Sequence, residues 1–469
     1  MSSIRFGTDG WRAIIGEEYT FDNVRRVAQA TAEEFQAQGG RRTPTLVVGY
    51  DSRFLSDRFA QTTAEVLAGN RCQVLLSDRP VPTPLVSFAI KHGRLQGGVM
   101  ITASHNPSAY NGFKVKAHFA GSIDPAVARQ IEERLDKQPV QRVPLDEALR
   151  RRLIRRVDLT RDYLTFLPTF VDLRAIRRAR LHILSDTMHG VGSGYLPKLL
   201  KGGRCWLTAV RDTYDPLFGG VNPEPIPSNL APSTQAIRRG RFDLGVINDG
   251  DADRIGALRP NGDFINPGQI LALLLLHLVE DRGWRGGVVR TISNTTLIDR
   301  MASAYKLPLH ETPVGFKHIC QLMLTQDILI GGEESGGIGI TRYLPDRDGI
   351  LLALLLIELL AQRGESLAQI WRGIERRFGR LASSRVDLHI ESATRDAALD
   401  RLRREPPKRL LSEPVADVKT FDGVKLIARD GSWILFRPSG TEPILRIYAE
   451  GASKTHVQSL LRAGQRLVT

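Results

Sequence analysis

The sequence predicts an α/β fold with parallel sheets, built as more than one domain. Short apolar runs suited to strands alternate along the chain with segments whose apolar residues recur at helical spacing, and this alternation is typical of parallel sheets. With 469 residues the chain is about three times the usual domain length, so we expect two to four domains. Apolar residues make up 42% and charged residues 25% of the chain, which is the composition of a globular protein with a large core.

Helical spacing and capping residues mark the first helices. Asp22 is placed to cap one helix, and Asp124 followed by Pro125 opens another. The two most apolar stretches, residues 270–279 and 350–357, are shorter than the roughly 18 apolar residues that a membrane span needs. We interpret both as buried core helices.

Apolar runs predict the strands that lie between the helices. The predicted strands cover residues 45–50, 99–101, 181–184, 244–247, 328–330 and 433–436. Polar, glycine-bearing loops follow most of them. In open α/β sheets ligands bind beyond the carboxyl ends of strands, because loops there are free to vary and helix N-termini point outward. These loops are therefore the candidate functional sites.

Three junctions divide the chain into four segments. The stretch 138–156 is basic and irregular, and a second junction follows Pro260. A third lies near Phe378, where apolar helices give way to a polar segment with alternating apolar residues. The domains expected from these junctions comprise residues 1–156, 157–260, 261–378 and 379–469.

Charge and cysteine content limit the class of protein. Lys and Arg number 65 against 51 Asp and Glu, and the net charge of +14 attracts phosphates, nucleic acid or anionic lipid without choosing among them. The cysteines Cys72, Cys205 and Cys320 are odd in number and form no CxxC pair, so we expect no disulfide framework, no structural zinc site and a cytoplasmic location. The first residues carry charges before any apolar run, so we expect no signal peptide.

The first candidate loop reads TASHNP (residues 102–107) and follows an apolar strand. It places the hydroxyl of Ser104 beside the imidazole of His105, and Lys114 follows a few residues later. Taken alone, the hexapeptide is more simply interpreted as a polar turn closed by Asn-Pro. A serine-hydrolase nucleophile would need GxSxG, which Ala103 and His105 do not supply, so Ser104 can only be a nucleophile of another kind.

The second candidate loop reads DGDADR (residues 249–254) and carries the carboxylates of Asp249, Asp251 and Asp253. Alternate residues of an extended backbone point to one side, so the three anions would face one site and demand a cation. An EF-hand calcium loop is excluded, since its glycine and its final glutamate are missing here. With oxygen ligands only, the expected ion is Mg²⁺, which usually works together with a phosphate. A solvated acidic turn is the alternative.

Two further loops combine glycines with polar side chains. GGEESGG (residues 331–337) holds Glu333 and Ser335 between glycines that let a ligand approach the backbone, although alone it is better interpreted as a flexible surface loop. RPSGTEP (residues 437–443) offers a guanidinium, two hydroxyls and backbone amides, which are the donors of a phosphate cradle, and a tight turn is its alternative. The chain has no GxxxxGK[ST] and no complete GxGxxG, so neither ATP nor NAD binding is indicated.

Together and in this order, TASHNP, DGDADR, GEESGG and RPSGTEP resemble the motifs of the α-D-phosphohexomutases, the phosphoglucomutase and phosphomannomutase family. The segments FGTDGWR, GYDSR and VGFKH are also similar to the family's, so the resemblance covers almost the whole chain. It implies three related α/β domains with mixed sheets and a smaller C-terminal α+β domain around a central cleft. The four segments above would then carry, in turn, the phosphoserine, metal-binding, sugar-binding and phosphate-binding loops.

The resemblance also implies roles for individual residues. Ser104 would carry a phosphate in the active enzyme, and Asp249, Asp251 and Asp253 would bind Mg²⁺ beside it, with the phosphoserine completing the metal shell. The further catalytic residues implied are Arg12, His105, Lys114 and Lys317. The substrate-binding residues implied are Arg254, Gly315, Glu333, Ser335, Arg437, Ser439, Gly440 and Thr441.

One position departs from the pattern of some family branches. Those branches carry histidine at the end of the sugar-binding loop, where this chain has Gly337, so a base at that position is absent. Lys114 or Lys317 remains as the candidate for the base. A surface lysine is also unremarkable in a chain of net charge +14.

The reaction implied by the resemblance is interconversion of glucose 1-phosphate and glucose 6-phosphate through a bisphosphorylated sugar, with Mg²⁺ as cofactor and glucose 1,6-bisphosphate as activator. Alternatives with the same chemistry are a phosphomannomutase or dual-specificity mutase, a phosphoglucosamine mutase, and a glucose 1,6-bisphosphate synthase. We expect phosphosugars as partners, no membrane, and a monomer or homodimer.

A nucleic-acid-binding protein is the alternative from another class. Its basis is a set of arginine-rich stretches at residues 150–156, 174–180 and 401–409. These stretches lack interleaved aromatic residues and any recognition motif. We therefore expect them to be solvated helix faces and expect no nucleic acid as partner.

Overall fold

The structure, a computed structural model, describes residues 4–7, 9–39, 43–438 and 444–468 of the chain. The chain divides into two compact units. One comprises Met1–Gly287 and Phe316–Leu367, and the other comprises Val288–Gly315 and Ala368–Thr469. Helices alternate with strands through most of the described chain, which confirms the predicted α/β fold.

The first sheet belongs to the N-terminal part of the first unit. Its strands are β1 (Trp11–Ile14), β2 (Thr45–Tyr50), β3 (Gln73–Ser77), β4 (Gly97–Ile101), β5 (Tyr110–Ala117) and β6 (Ile154–Val157), in the order β1-β5-β4-β2-β3-β6. The helices of this region are α1 (Phe21–Gly39), α2 (Ser56–Gly69), α3 (Thr83–Gly93), α4 (Pro125–Arg134) and α5 (Leu145–Arg150). Strands β4, β2, β3 and β6 run parallel, and β5 is antiparallel to both β4 and β1. The loop 102–109 therefore lies at the carboxyl end of β4.

The second sheet repeats this mixture of parallel and antiparallel strands. Its strands are β7 (His182–Asp186), β8 (Trp206–Val210), β9 (Leu244–Asn248), β10 (Ile255–Leu258) and β11 (Phe264–Ile265), in the order β11-β10-β9-β7-β8. Its helices are α6 (Thr160–Phe170), α7 (Leu173–Arg178), α8 (Tyr195–Leu200) and α9 (Ala231–Arg239). Strands β8, β7 and β9 run parallel, whereas β9, β10 and β11 form an antiparallel meander. The loop 249–254 connects β9 to β10.

The next part of the chain contributes elements to each unit. Those of the second unit are β12 (Gly287–Thr291), which is parallel to β13 (Leu309–Thr312), and α11 (Leu297–Ala304). Those of the first unit are the antiparallel strands β14 (Ile328–Gly332), β15 (Ile338–Ile340) and β16 (Leu344–Arg347) with α10 (Pro267–Leu276), α12 (Phe316–Thr325) and α13 (Gly349–Arg363). Helix α10 continues into a π-helical turn at His277–Asp281. Both stretches predicted as apolar core helices are buried, as expected.

The C-terminal part of the second unit is an α+β structure with a fully antiparallel sheet. Its strands are β17 (Ala382–His389), β18 (Arg409–Leu410), β19 (Glu413–Lys419), β20 (Val424–Ala428), β21 (Trp433–Pro438) and β22 (Ile444–Gly451), in the order β17-β22-β21-β20-β19-β18. Its helices are α14 (Leu367–Phe378), α15 (Ser392–Arg404) and α16 (Lys454–Val468).

The predicted elements compare well with those observed. Each of the six predicted strands overlaps an observed strand, and Asp124 caps α4 by accepting a hydrogen bond of 2.7 Å from the amide of Ala126. The sheets are mixed rather than wholly parallel, because hairpin strands such as β5 and β10 return beside their predecessors. Among the described residues, no helix is both long and apolar enough to cross a bilayer. The domain boundaries predicted from composition stay predictions.

Candidate active site

The loop after β4 holds Ser104 in a conformation that a non-glycine residue rarely adopts. Its φ is 54°, and the residue is 1% exposed. Its amide donates to the hydroxyl of Thr102 at 2.8 Å, and its own hydroxyl donates to Oδ2 of Asp249 at 3.0 Å. The ring of His105 lies close by, with Nδ1 3.5 Å from the Ser104 hydroxyl oxygen. The loop thus presents the serine hydroxyl to the carboxylates of the loop after β9.

A buried arginine to which no motif assigns a role holds this loop in place. The guanidinium of Arg53 donates to four backbone carbonyls. The acceptors are Ser104, Asn106 and Pro107, each at 2.7 Å, and Tyr110 at 3.0 Å. Arg53 also pairs with Asp51 at 3.2 Å, and both side chains are fully buried. Buried carbonyls need donors, so this one side chain stabilises the whole turn.

The loop after β9 brings its three carboxylates together through a turn and not through extended backbone as predicted. Ala252 adopts a left-handed φ of 56°, which reverses the chain between Asp251 and Asp253. One carboxylate oxygen from each of Asp249, Asp251 and Asp253 lies within 4.8 Å of the others, and all three residues are buried. The conclusion that these side chains face one site holds, although the local conformation differs.

The donor set of this cluster fits a hard divalent cation. Oδ1 of Asp251 and Oδ1 of Asp253 are buried, and neither has a hydrogen-bond partner among the described residues. Burying a carboxylate oxygen without a partner is costly, and a cation removes that cost. Carboxylate and hydroxyl oxygens suit Mg²⁺ better than zinc or copper. The residues that would hold the ion are the three aspartates, with Ser104 beside Asp249.

Positive side chains surround the same cluster. The Lys114 ammonium lies 2.8 Å from Asp251, 3.2 Å from Asp253 and 3.1 Å from Asp9. Arg347 lies 2.6 Å from Asp9 and 2.8 Å from Asp253. Asp9 and Arg347 were not identified as site residues from the sequence. Asp9 belongs to the FGTDGWR segment, whereas no motif marks Arg347.

Burial and neighbouring charges shift the pKa values of Asp249, Asp251 and Lys114. Burial, together with the charges of Asp251 and Asp253, raises the pKa of Asp249 well above its usual value. Burial alone would also raise the pKa of Asp251, but the ammonium of Lys114 lowers it instead. Burial would lower the pKa of Lys114, yet the carboxylates of Asp251, Asp253 and Asp9 raise it. Lys114 is therefore protonated at neutral pH.

Two predicted arginines and the predicted histidine lie near the same cluster. Arg12, on β1, donates to the side-chain oxygen of Asn106 at 2.6 Å, which ties it to the Ser104 loop. The Arg254 guanidinium lies 3.9 Å from both Asp249 and Asp253. Burial, and then the charges of Arg254 and Arg12, lower the pKa of His105 well below its usual value, so its ring is neutral.

The loop 331–337 packs against the loop that carries the aspartates. The amide of Ile255, the first residue of β10, donates to the carbonyl of Gly336 at 3.1 Å. Glu333 is buried, and its carboxylate lies 3.8 Å from Arg347. Gly337 has no room for a side chain, because a Cβ there would lie 2.5 Å from Cδ of Arg347. The side chain of Arg347 thus covers the position at which some family branches place a histidine.

The remaining predicted residues lie outside this cluster. Lys317 is the second residue of α12 and lines a cavity of about 380 Å³ whose walls come from residues 119–125 and 317–325. Gly315 and Arg437 belong to the second unit, where Arg437 pairs with Asp422 at 3.0 Å. Ser439, Gly440 and Thr441 fall outside the described residues.

Comparison with known proteins gives the same family over all four segments. Residues 3–142, 161–262 and 266–378 match the alpha/beta/alpha domains I, II and III of phosphoglucomutase/phosphomannomutase, and residues 395–463 match its C-terminal domain.

Individual relatives match along almost their full length. A phosphoglucomutase/phosphomannomutase from Thermococcus kodakarensis is 30% identical over 463 residues, covering 99% of this chain and 98% of its own. A phosphoglucosamine/phosphogalactosamine mutase from Sulfurisphaera tokodaii is 28% identical, with the same shares covered. The crystal structure of a protein from Thermus thermophilus, named for a phosphomannomutase, has a TM-score of 0.87 and 37% identity, covering 100% of this chain and 99% of that one.

Proposed function

The chain belongs to the phosphoglucomutase/phosphomannomutase family, and from that premise we propose that it interconverts glucose 1-phosphate and glucose 6-phosphate through a phosphoserine at Ser104. It is a phosphohexomutase, an intramolecular phosphotransferase. The observation that carries the proposal is the 3.0 Å hydrogen bond from Ser104 to Asp249, inside a buried cluster of three aspartates. A hydroxyl held against a cation site is the arrangement that a phosphoryl carrier needs.

The proposed cycle needs positioning more than covalent help. A phosphoryl group on Ser104 passes to the free hydroxyl of a bound sugar monophosphate, so a P–O bond to the sugar forms as the bond to the serine oxygen breaks. The sugar hydroxyl loses a proton and the serine oxygen gains one, so the step is balanced. The bisphosphate then turns round and returns its other phosphate to Ser104. Phosphoryl transfer proceeds through a loose transition state whose main demand is charge stabilisation. Mg²⁺ held by the three aspartates would supply positive charge beside the transferring group.

The chain's own cations serve the same transition state. Arg12, Arg254 and Lys114 lie around the serine and the aspartates, where they can bind the oxygens of the phosphoryl group. Because its pKa is raised, Lys114 acts in this proposal as a fixed positive charge and not as the base. A phosphoserine carries roughly −1.5 to −2 charges, so without these cations it would repel an incoming phosphosugar.

Glu333 and Ser335 are the proposed partners of the sugar hydroxyls. A mutase binds its sugar in two opposite orientations. Its hydrogen bonds to the sugar should therefore involve the 3-OH and 4-OH, which nearly exchange places when the sugar turns. Mannose phosphate, an amino sugar phosphate and net synthesis of glucose 1,6-bisphosphate are the alternatives. The relative from S. tokodaii is named for both glucosamine and galactosamine phosphates. These two sugars differ in the configuration at carbon 4, so the sugars for which family members are named differ at that carbon.

A coupled assay tests the proposed function. Purified protein with Mg²⁺ should form glucose 6-phosphate from glucose 1-phosphate, and added glucose 1,6-bisphosphate should activate it by phosphorylating Ser104. The protein could fail to form glucose 6-phosphate under these conditions and still turn over mannose or glucosamine phosphates. That result would show that the substrate is the sugar that reacts and not glucose. A bisphosphate product that accumulates with another phosphoryl donor would indicate the synthase.

A further inference from the structure

Helix α3 carries a polar stripe on an otherwise apolar helix. Thr83, Ser87 and Lys91 follow one another at intervals of four residues, so they lie on one face, while residues such as Leu85 and Val86 are buried in the core. Each of the three side chains donates a hydrogen bond to a residue far away in the sequence. Their acceptors are a carboxylate oxygen of Asp251, a carboxylate oxygen of Asp346 and the carbonyl of Tyr343.

Thr83, at the start of the helix, binds Asp251 twice. Its amide donates to the Asp251 carbonyl at 3.0 Å, and its hydroxyl donates to Oδ2 of the same residue at 2.6 Å. Both residues are fully buried. The first bond fixes the backbone of Asp251, and the second fixes the rotation of its carboxylate. Since Thr83 and Lys114 occupy Oδ2, the other oxygen, Oδ1, is left without a partner among the described residues.

The rest of the stripe holds the strand that carries Arg347. The Ser87 hydroxyl and the Lys116 ammonium lie 2.6 Å and 2.7 Å from Oδ2 of Asp346, which precedes Arg347 on β16. Arg347 in turn pairs with Asp253 at 2.8 Å. One rigid helix therefore sets the positions of two of the three aspartates, one directly and one through β16.

We propose that Thr83 is a positioning residue for the metal site: its hydroxyl holds Asp251 so that Oδ1 faces the cation. The inference rests on the proposed function, in which Asp251 binds Mg²⁺. Groups that hydrogen-bond to metal ligands fix the orientation of those ligands, and removing such a group typically weakens metal affinity about 10- to 100-fold. The hydrogen bond from Thr83 to Asp251 joins the region of the first sheet to that of the second sheet. It therefore also holds the loop 249–254 against the part of the chain that carries Ser104.

The test is the Mg²⁺ dissociation constant of the full-length protein, measured by titration calorimetry, with the phosphorylation state of each sample established by intact-mass spectrometry. Thr83→Val removes the hydroxyl and keeps the shape of the side chain, and Thr83→Ser restores the hydroxyl. We expect Mg²⁺ affinity to fall about 10- to 100-fold in Thr83→Val and to return to within about threefold of wild type in Thr83→Ser. Thr83→Ala removes the same hydroxyl and leaves a smaller side chain. The Mg²⁺ dissociation constant is measured on this variant if the valine variant does not fold.

Thr63→Val is the matched control. Thr63 is fully buried on α2 and donates its hydroxyl to the carbonyl of Phe59, away from the aspartates. We expect this variant to change the melting temperature and not the Mg²⁺ affinity. A Thr83→Val protein that binds Mg²⁺ like wild type, while Asp251→Asn does not bind it, would overturn the inference alone. A wild-type protein that does not bind Mg²⁺ would instead overturn the metal assignment in the proposed function.

Discussion

The hydroxyl of Ser104 donates a hydrogen bond of 3.0 Å to Oδ2 of Asp249, a residue that lies 145 positions later in the chain. Asp249 follows β9 directly, and Ser104 follows β4, a strand of the other sheet, within a few positions. Their contact joins the predicted phosphoryl carrier to the predicted cation site.

The first prediction concerns the phosphoryl carrier. Intact-mass spectrometry should find one phosphate on Ser104 in at least part of the purified protein, because that hydroxyl faces the cation site. Ser104→Ala removes that hydroxyl and should abolish phosphosugar interconversion. Wild-type turnover by the Ser104→Ala protein would exclude the phosphoserine mechanism.

The second prediction concerns the metal. Asp251→Asn removes a charge from the ligand set, so it should weaken Mg²⁺ binding and lower kcat, and EDTA should have the same effect on the wild type. Asp263→Asn, an exposed aspartate in the turn between β10 and β11, is the control and should leave both quantities unchanged. Full activity in metal-free buffer is the result that contradicts the assignment.

The third prediction concerns Arg53. Arg53→Ala leaves Asp51 buried without its ion-pair partner and removes a donor from four backbone carbonyls, three of them in the Ser104 loop. Breaking a buried pair in this way costs about 3–5 kcal/mol, so we expect a lower melting temperature together with a loss of kcat. The exposed pair of Arg151 and Glu147 provides the control, since Arg151→Ala should change the free energy of unfolding by less than about 1 kcal/mol. Equal melting temperatures for the two variants would show that Arg53 does not hold the loop.

The fourth prediction concerns sugar specificity. Glucose 1-phosphate should be preferred and mannose 1-phosphate tolerated. The two sugars differ only at carbon 2, which does not carry the hydroxyls that Glu333 and Ser335 are proposed to bind. Galactose 1-phosphate has an axial 4-OH, which would lose the proposed hydrogen bond to the Glu333 carboxylate. The loss of a hydrogen bond to a charged group costs about 1.5–3 kcal/mol, or roughly ten- to a hundred-fold in kcat/KM. Equal use of galactose 1-phosphate, or wild-type kinetics in Glu333→Ala, would defeat this proposal.

The fifth prediction concerns pH and the N-terminus of α13. Burial raises the pKa of Asp348, which caps this helix and accepts hydrogen bonds from Tyr163 and Tyr343, to about 6. Between roughly pH 4 and pH 6 the folded protein therefore binds a proton that the unfolded chain has released, so this carboxyl makes the fold less stable as pH rises through that window. Asp348→Asn cannot titrate.

The difference in melting temperature between Asp348→Asn and wild type should accordingly shift in favour of the variant from about pH 4 to about pH 6 and stay constant above that. Differential scanning fluorimetry across this range measures it. Parallel curves for the two proteins would show that Asp348 does not titrate there.

The sequence by itself determined where the chemistry lies along the chain. Strand and loop patterns are local, and a run such as DGDADR brings its three carboxylates together within six residues, so it needs no distant partner to be recognised. For the same reason the strands that precede the Ser104 loop and the aspartate loop form where the apolar runs predict them.

Only the tertiary structure decided which side chains surround that chemistry. Thr83 lies 168 residues from Asp251, and Arg347 lies 338 residues from Asp9, so no local pattern marks either pair. Arg53 acts on backbone carbonyls, which have no sequence signature of their own. Alternation along the sequence predicts an extended chain through Ala252, whereas the structure has a left-handed turn there. The buried carboxylates meet because the β9–β10 turn packs against α3 and β5. Side chains that act through distant partners become visible only when the fold brings those partners within hydrogen-bond distance.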